Sequence, residues 1–153
     1  MSVDQNDAKL IEATEAWELM QSDPGVALID VRSDMEFLMI GHPKGAVNVP
    51  LIDAPDWTIN PLFVANVRKA ILGRVSSKSS WANNRGSGQR GMNPLLLICR
   101  SGNRSMDAAE LLFQEGLTQI SVVAGGFEGP LNDQHHRNTV AGWRFHGLPW
   151  EQC

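Results

Sequence analysis

The sequence predicts an α/β domain with a mainly parallel central sheet, and three observations lead there. Continuous apolar runs of strand length stand at 26–31 and 95–99, and runs without polar alternation suit strands covered on both faces by helices. Segments of helical periodicity at 13–22, 60–73 and 103–115 are interleaved with them. The resulting order, with strand and helix alternating along the chain, is the signature of α/β architecture.

The segment 13–22 reads as an amphipathic helix with Ala16, Leu19 and Met20 on one face, stopped by the turn residues Asp23-Pro24-Gly25. After the strand at 26–31, Ser33-Asp34-Met35-Glu36 has the form of a capping box, predicting a short helix that Gly41 ends after Ile40. A brief strand is expected within 45–50, closed by Pro50. Asn60-Pro61 pairs a capping residue with proline at the first helical position, and Phe63, Val67, Ala70 and Ile71 then share a face up to a stop at Gly73. Residues 76–93 are rich in Ser, Asn, Gly and Arg and are expected to form a mobile surface loop. Pro94 opens the most apolar strand, 95–99. A helix over 103–115 follows, with Ala108, Ala109 and Leu112 inward, Asp107, Glu110 and Gln114 outward, and Gly116 as its cap. A last strand is expected at 120–124, and the Gly-, Trp- and His-rich stretch 125–149 as short helices and turns.

A chain of 153 residues fits one domain with a core of its own, here taken as 8–150. A net charge of -4 gives no reason to expect nucleic acid, which demands a basic surface. No apolar run approaches the length of a membrane span. The first residues lack the basic and apolar parts of a signal peptide, so the expected location is the cytoplasm, where thiols stay reduced. The two cysteines, Cys99 and Cys153, are too few for a disulfide framework. His135-His136 lack a ligand spacing, and neither a metal nor another cofactor is expected.

The chemistry is expected at Cys99. A cysteine between a buried strand and a helix start meets free backbone amides and the positive end of the helix, which stabilise a thiolate. The loop Cys99-Arg100-Ser101-Gly102-Asn103-Arg104 can curl its amides into an anion-binding nest, with Gly102 taking angles other residues resist and two guanidiniums adding charge. A core cysteine needs no such flank. In α/β sheets ligands bind beyond the carboxyl ends of the strands, where Cys99 falls.

The same loop, extended to Ser105, resembles the active-site loop of rhodanese-like sulfurtransferases. Leu28-Ile29-Asp30-Val31-Arg32, Glu36-Phe37, the run from Gly41-His42-Pro43-Lys44 to Pro50, Gly125-Gly126-Phe127 and Gly147-Leu148-Pro149-Trp150 resemble that family's other landmarks in order. The resemblance covers about residues 8–150 and implies a rhodanese-like three-layer fold, with a mainly parallel sheet of about five strands flanked by helices. Pro43-Lys44 stands where Ile-Pro is usual, and the stretch 53–93 is longer than in a minimal member. Related phosphatases use a loop one residue longer; the spacing from Cys99 to Arg104 resembles the sulfur-carrying form. Arg100 resembles the thiosulfate-using type, and the Cys-Gly-Ser-Gly-Val-Thr pattern of mercaptopyruvate users is absent.

The resemblance therefore implies a sulfurtransferase in which Cys99 becomes a persulfide, taking sulfur from thiosulfate or a similar donor and passing it to a thiol or protein acceptor. Arg100, Ser101, Gly102, Asn103, Arg104 and Ser105 bind the donor, with Arg104 also bracing the loop; Asp30 and Arg32 support it, a surface ion pair being the simpler alternative. A non-catalytic partner-binding module, or a phosphatase or arsenate reductase, are the other functions this fold serves. His42 is read as a turn histidine bonded to backbone, and Trp17, Trp143 and Trp150 as packing residues. Cys153 is read as a terminal thiol, with persulfide relay as its alternative. Trp57, Trp81, Lys78, Arg85 and Arg90 belong to the insertion and its flanks.

Overall fold

A computed structural model describes residues 8–52, 55–77 and 94–152. In chain order the elements are β1 (Lys9–Ile11), α1 (Ala13–Ser22), β2 (Ala27–Asp30), a π-helical segment (Glu36–Ile40), β3 (His42–Pro43), β4 (Val47–Asn48), α2 (Phe63–Ser77), β5 (Leu95–Ile98), α3 (Asn103–Gln114), β6 (Ile120–Val123) and β7 (Trp150–Glu151). Five strands form one sheet in the order β1-β6-β5-β2-β4, every pairing parallel. Strands β3 and β7 pair antiparallel in a separate two-stranded clasp.

The apolar runs are continuous because both faces of the sheet are covered. Leu95, Leu97 and Cys99 point to one side, where Phe63 and Val67 of α2 and Ala108 and Leu112 of α3 bury them. Leu96 and Ile98 alternate to the other side, against Ala13 and Ala16 of α1 and against Phe127 and Trp143 of the C-terminal segment. The result is three layers, helix, sheet and helix plus tail.

Local signals act as their chemistry predicts. The Ser33 amide donates to Glu36 Oε1 at 3.1 Å and the Glu36 amide to Ser33 Oγ at 3.3 Å, the reciprocal capping box. Helix α3 ends in a Schellman motif: the Leu117 amide reaches the Leu112 carbonyl and the Gly116 amide that of Phe113, both at 3.0 Å, with Gly116 at φ +90°.

Several expectations are corrected. Helix α2 runs through Gly73 to Ser77, because a glycine with helical angles and no turn behind it weakens a helix by only about 1 kcal/mol. Positions 76 and 77, expected in the loop, are therefore helical; residues 78–93, with Lys78, Trp81, Arg85 and Arg90, lie outside the described residues, as does Cys153. The segment after the capping box winds as a π-helix, closed by the Gly41 amide on the Glu36 carbonyl five residues back. Between β6 and β7 the chain makes turns and bends without a helix, and β1, β3 and β7 are strands that periodicity missed.

Candidate active site

Strand β5 stops at Ile98, and Cys99, 1% exposed, stands at its carboxyl end. Gly102 takes φ +126°, and its amide donates to Cys99 Sγ at 3.0 Å. That angle is open to glycine and resisted by residues with a Cβ. Helix α3 begins at the next residue with no side-chain cap and no acidic residue in its first turn. Its first amides thus remain for an anion in the loop.

Arg104 is the loop's second guanidinium, and Glu36 holds it. Nη1 donates to Oε1 at 2.8 Å and Nη2 to Oε2 at 2.9 Å, with both side chains largely buried. Burial pushes the Glu36 pKa up, but the hydrogen bonds and charge of Arg104, with the bonds from Ser33, outweigh it and hold the group at about 2. The Arg104 pKa is raised, chiefly by its hydrogen bond to Glu36 and further by the charges of Glu36, Cys99 and Asp30. The folded protein therefore favours the ionised carboxylate. This stabilisation is complete above the ordinary glutamate value of 4.5 and is lost as pH falls toward 2. Urea denaturation is expected to show a loss on the order of 2 kcal/mol from this group across that window, so Glu36→Gln should flatten the acid limb. An unchanged limb in the variant would refute the assignment.

Asp30 and Arg32 form a pair with no exposure at all, so the surface ion pair is overturned. Arg32 Nη2 donates to Asp30 Oδ2 at 2.6 Å and to the Gly41 carbonyl at 2.5 Å, while Nε and the Arg32 amide donate to Asp30 Oδ1. The guanidinium lies 4.7 Å from the ring centre of Phe127. Phe127 in turn donates its amide to the Cys99 carbonyl at 2.7 Å, and Glu128 and Gly129 donate theirs to the Arg100 carbonyl. Arg32 thus braces the residue that grips the start of the loop. Gly126, at φ +64°, sits so close that a Cβ would lie 2.6 Å from the Arg100 and Cys99 carbonyl oxygens. No side chain fits there.

The other expected residues spread over different roles. Arg100 is exposed, and its guanidinium has no hydrogen-bonding or ionic partner among the described residues. Ser101 is half-buried and Asn103 exposed, while Ser105 is buried with Oγ lacking a hydrogen-bond partner among the described residues. His42 is the turn histidine expected: Nδ1 meets the Phe37 carbonyl at 2.8 Å and the ring stacks on Phe37. Trp143 is fully buried, edge-on to Trp17, and its Nε1 donates to the Pro149 carbonyl. Trp150 packs edge-on to Phe127 and under Arg144, whereas Trp57 is exposed. His135 and His136 are exposed.

Three contributors were missed as site residues. Glu36 was legible as a cap and as a family landmark, but not as the partner of an arginine far along the chain. Asn48, whose Nδ2 donates to the carbonyls of Asp30 and Arg32 at 3.0 Å, was legible only as part of a short strand and a family landmark, not as a partner of that strand end. The clamp by Gly126 and Phe127 was visible only as a glycine-rich turn.

A profile of the rhodanese-like domain matches residues 12–132. A protein of M. tuberculosis with a known crystal structure superposes with a TM-score of 0.74 at 33% identity, covering 96% of this chain and 99% of that one. A chloroplastic thiosulfate sulfurtransferase of Arabidopsis thaliana is 28% identical over 91% of this chain and 89% of its own length. The polysulfide-sulfur transferase homodimer of Wolinella succinogenes is similar in fold, with a TM-score of 0.58 at 19% identity over 99% of this chain and 84% of that one.

Proposed function

From the premise that the chain belongs to the rhodanese-like domain family, we propose that it is a sulfurtransferase carrying sulfur as a persulfide on Cys99. The observation that carries this reading is the Gly102 amide 3.0 Å from Cys99 Sγ, inside a loop that opens onto the uncapped start of α3. Relatives named as sulfurtransferases support it at low identity.

The reaction is a double displacement by covalent catalysis. Cys99 thiolate attacks the outer sulfur of thiosulfate, or of a similar donor. A new S–S bond forms to Cys99, and the old S–S bond breaks with its electron pair leaving on sulfite. The Gly102 amide and the first amides of α3 stabilise the negative terminal sulfur, as an oxyanion hole stabilises developing charge. An acceptor thiolate, of a small molecule or a protein, then attacks that terminal sulfur and returns Cys99 as thiolate; cyanide serves in vitro and leaves as thiocyanate. Arg100 attracts the donor, and Arg104 braces the loop. Ser101, Asn103 and Ser105 complete the donor-binding loop. Asp30 and Arg32 support it from the neighbouring strand end. A reducing compartment such as the cytoplasm suits a nucleophile that works as a free thiol.

The test is direct. After incubation with thiosulfate and removal of the donor, intact mass should show one added sulfur, lost again on adding cyanide or a thiol. No uptake from thiosulfate, thiosulfonates or polysulfide would overturn the reading and leave a binding module in its place.

A further inference from the structure

Two braces hold the Cys99 loop, one toward each end. At its start Phe127 donates its amide to the Cys99 carbonyl at 2.7 Å. At its end Arg104 is held by Glu36, and the π-helical turn that carries Glu36 is closed by the Gly41 amide on the Glu36 carbonyl at 3.3 Å. Trp150 of β7 packs on both. Its ring occupies the space beside Gly41, where a Cβ would lie 2.7 Å from Trp150 Cε3, and it stands edge-on to Phe127 with ring centres 6.0 Å apart. The ring comes this close because position 41 has no side chain, and its φ of +116° favours glycine as well. The segment that presents the ring is tied at three points. The Lys44 amide donates to the Pro149 carbonyl at 3.1 Å, Trp143 Nε1 to the same carbonyl at 2.8 Å, and Gln152 Nε2 to the Met39 carbonyl at 2.8 Å. The Arg144 guanidinium lies over the ring, 4.3 Å from its centre.

We propose that Trp150 is a positioning residue for Cys99: by packing on Gly41 and Phe127 together, its ring fixes the two ends of the loop relative to one another and keeps the Gly102 amide on Sγ. An amide stabilises a sulfur anion best when its direction is set before the charge arrives. Helix α3 starts without a side-chain cap, so the loop takes its geometry from these outside braces. Trp150 acts through Gly41 and Phe127, and at 38% exposed it is not part of the buried core. Its effect on sulfur transfer rests on the sulfurtransferase reading; its hold on Cys99 does not.

Alkylation of Cys99 by iodoacetamide, followed on the Cys99 peptide by mass spectrometry, reports the state of the loop without any sulfur chemistry, since the thiol is 1% exposed in the native fold. Trp150→Ala is expected to raise its rate about tenfold or more by local opening, and Trp150→Phe, which keeps a ring against Gly41, to stay within about twofold of native. Trp150→Leu, which keeps bulk without a flat ring, should also react faster and serves if the alanine variant fails to fold. Val26→Ala removes buried volume at the amino end of β2, the edge of the sheet opposite the loop. It should lower the denaturation midpoint without speeding alkylation. In transfer from thiosulfate to cyanide Trp150→Ala should lose about tenfold in kcat with KM for thiosulfate within about twofold, because Arg100 stands outside both braces. Native alkylation in a folded Trp150→Ala or Trp150→Leu protein overturns the proposal, and so does equal acceleration in Val26→Ala or in Trp150→Phe. An unchanged kcat in a protein that does transfer sulfur overturns it too. A protein that takes sulfur from no donor, yet reacts faster in Trp150→Ala and is restored by Trp150→Phe, loses the sulfur-transfer reading and keeps the positioning role.

Discussion

Replacing Cys99 with serine is expected to cut sulfur transfer from thiosulfate to cyanide by on the order of 10³-fold or more, and to abolish the added sulfur in the intact mass. The serine hydroxyl stays protonated near neutral pH, so no anion is available to attack the donor. The substitution is also small for the fold. Cys99 sits at the end of β5 with its carbonyl held by Phe127 and its Sγ near the Gly102 amide, and a hydroxyl can accept from that same amide. A near-native denaturation midpoint with no sulfur uptake therefore separates chemistry from structure. Uptake that persists in the variant and maps to Cys153 would move the carrier to the other thiol.

Asp30→Ala carries the largest expected cost in stability, about 3–5 kcal/mol. Asp30 and Arg32 are both without exposure, and among the described residues no second carboxylate bonds to that guanidinium. Removing Asp30 strands a positive charge under the Phe127 ring, with only the Gly41 carbonyl still bonded to it among the described residues. Adding Arg32→Met in the same chain should recover part of the loss, because the uncompensated charge goes with it. Chemical denaturation of the three proteins measures this. A loss below about 1 kcal/mol in the single variant would show that water reaches the guanidinium.

What could be read from the chain beforehand was whatever depends on neighbours in sequence. Helix α1 was placed at its observed bounds, Ala13–Ser22, because its period and its Asp23-Pro24 stop lie together. The capping box at Ser33 and Glu36, the cap at Gly116 and the apolar runs of β2 and β5 are local in the same sense. The reading of Cys99 and its loop is local too, since it rests on six adjacent residues, and the fold places the Gly102 amide on Cys99 Sγ. The features that were hidden depend on distant partners. Strand β1 has only three residues, two of them exposed, and is a strand because β6 lies beside it. Strands β3 and β7 have two residues each and exist through one another. Glu36 meets Arg104 across 68 positions, and no periodicity carries that. For Asp30 and Arg32 a surface pair stayed open beside the supporting role, because the tail that buries them, Phe127 above all, comes nearly a hundred residues later.

The sheet order has a temporal consequence. Strand β1, near the start of the chain, finds its sheet partner in β6, and β2 finds β5 only after the long stretch that contains α2. A chain emerging from the ribosome can form the β2–β4 pairing early, but the centre of the sheet waits for residue 98 and the β1 edge for residue 123. Parallel pairings of this range close large loops before they are rewarded, so folding is slow relative to helical proteins of similar size. Until β6 arrives, β5 offers Leu95 to Ile98 with an unpaired side, an exposure that favours chaperone capture during synthesis.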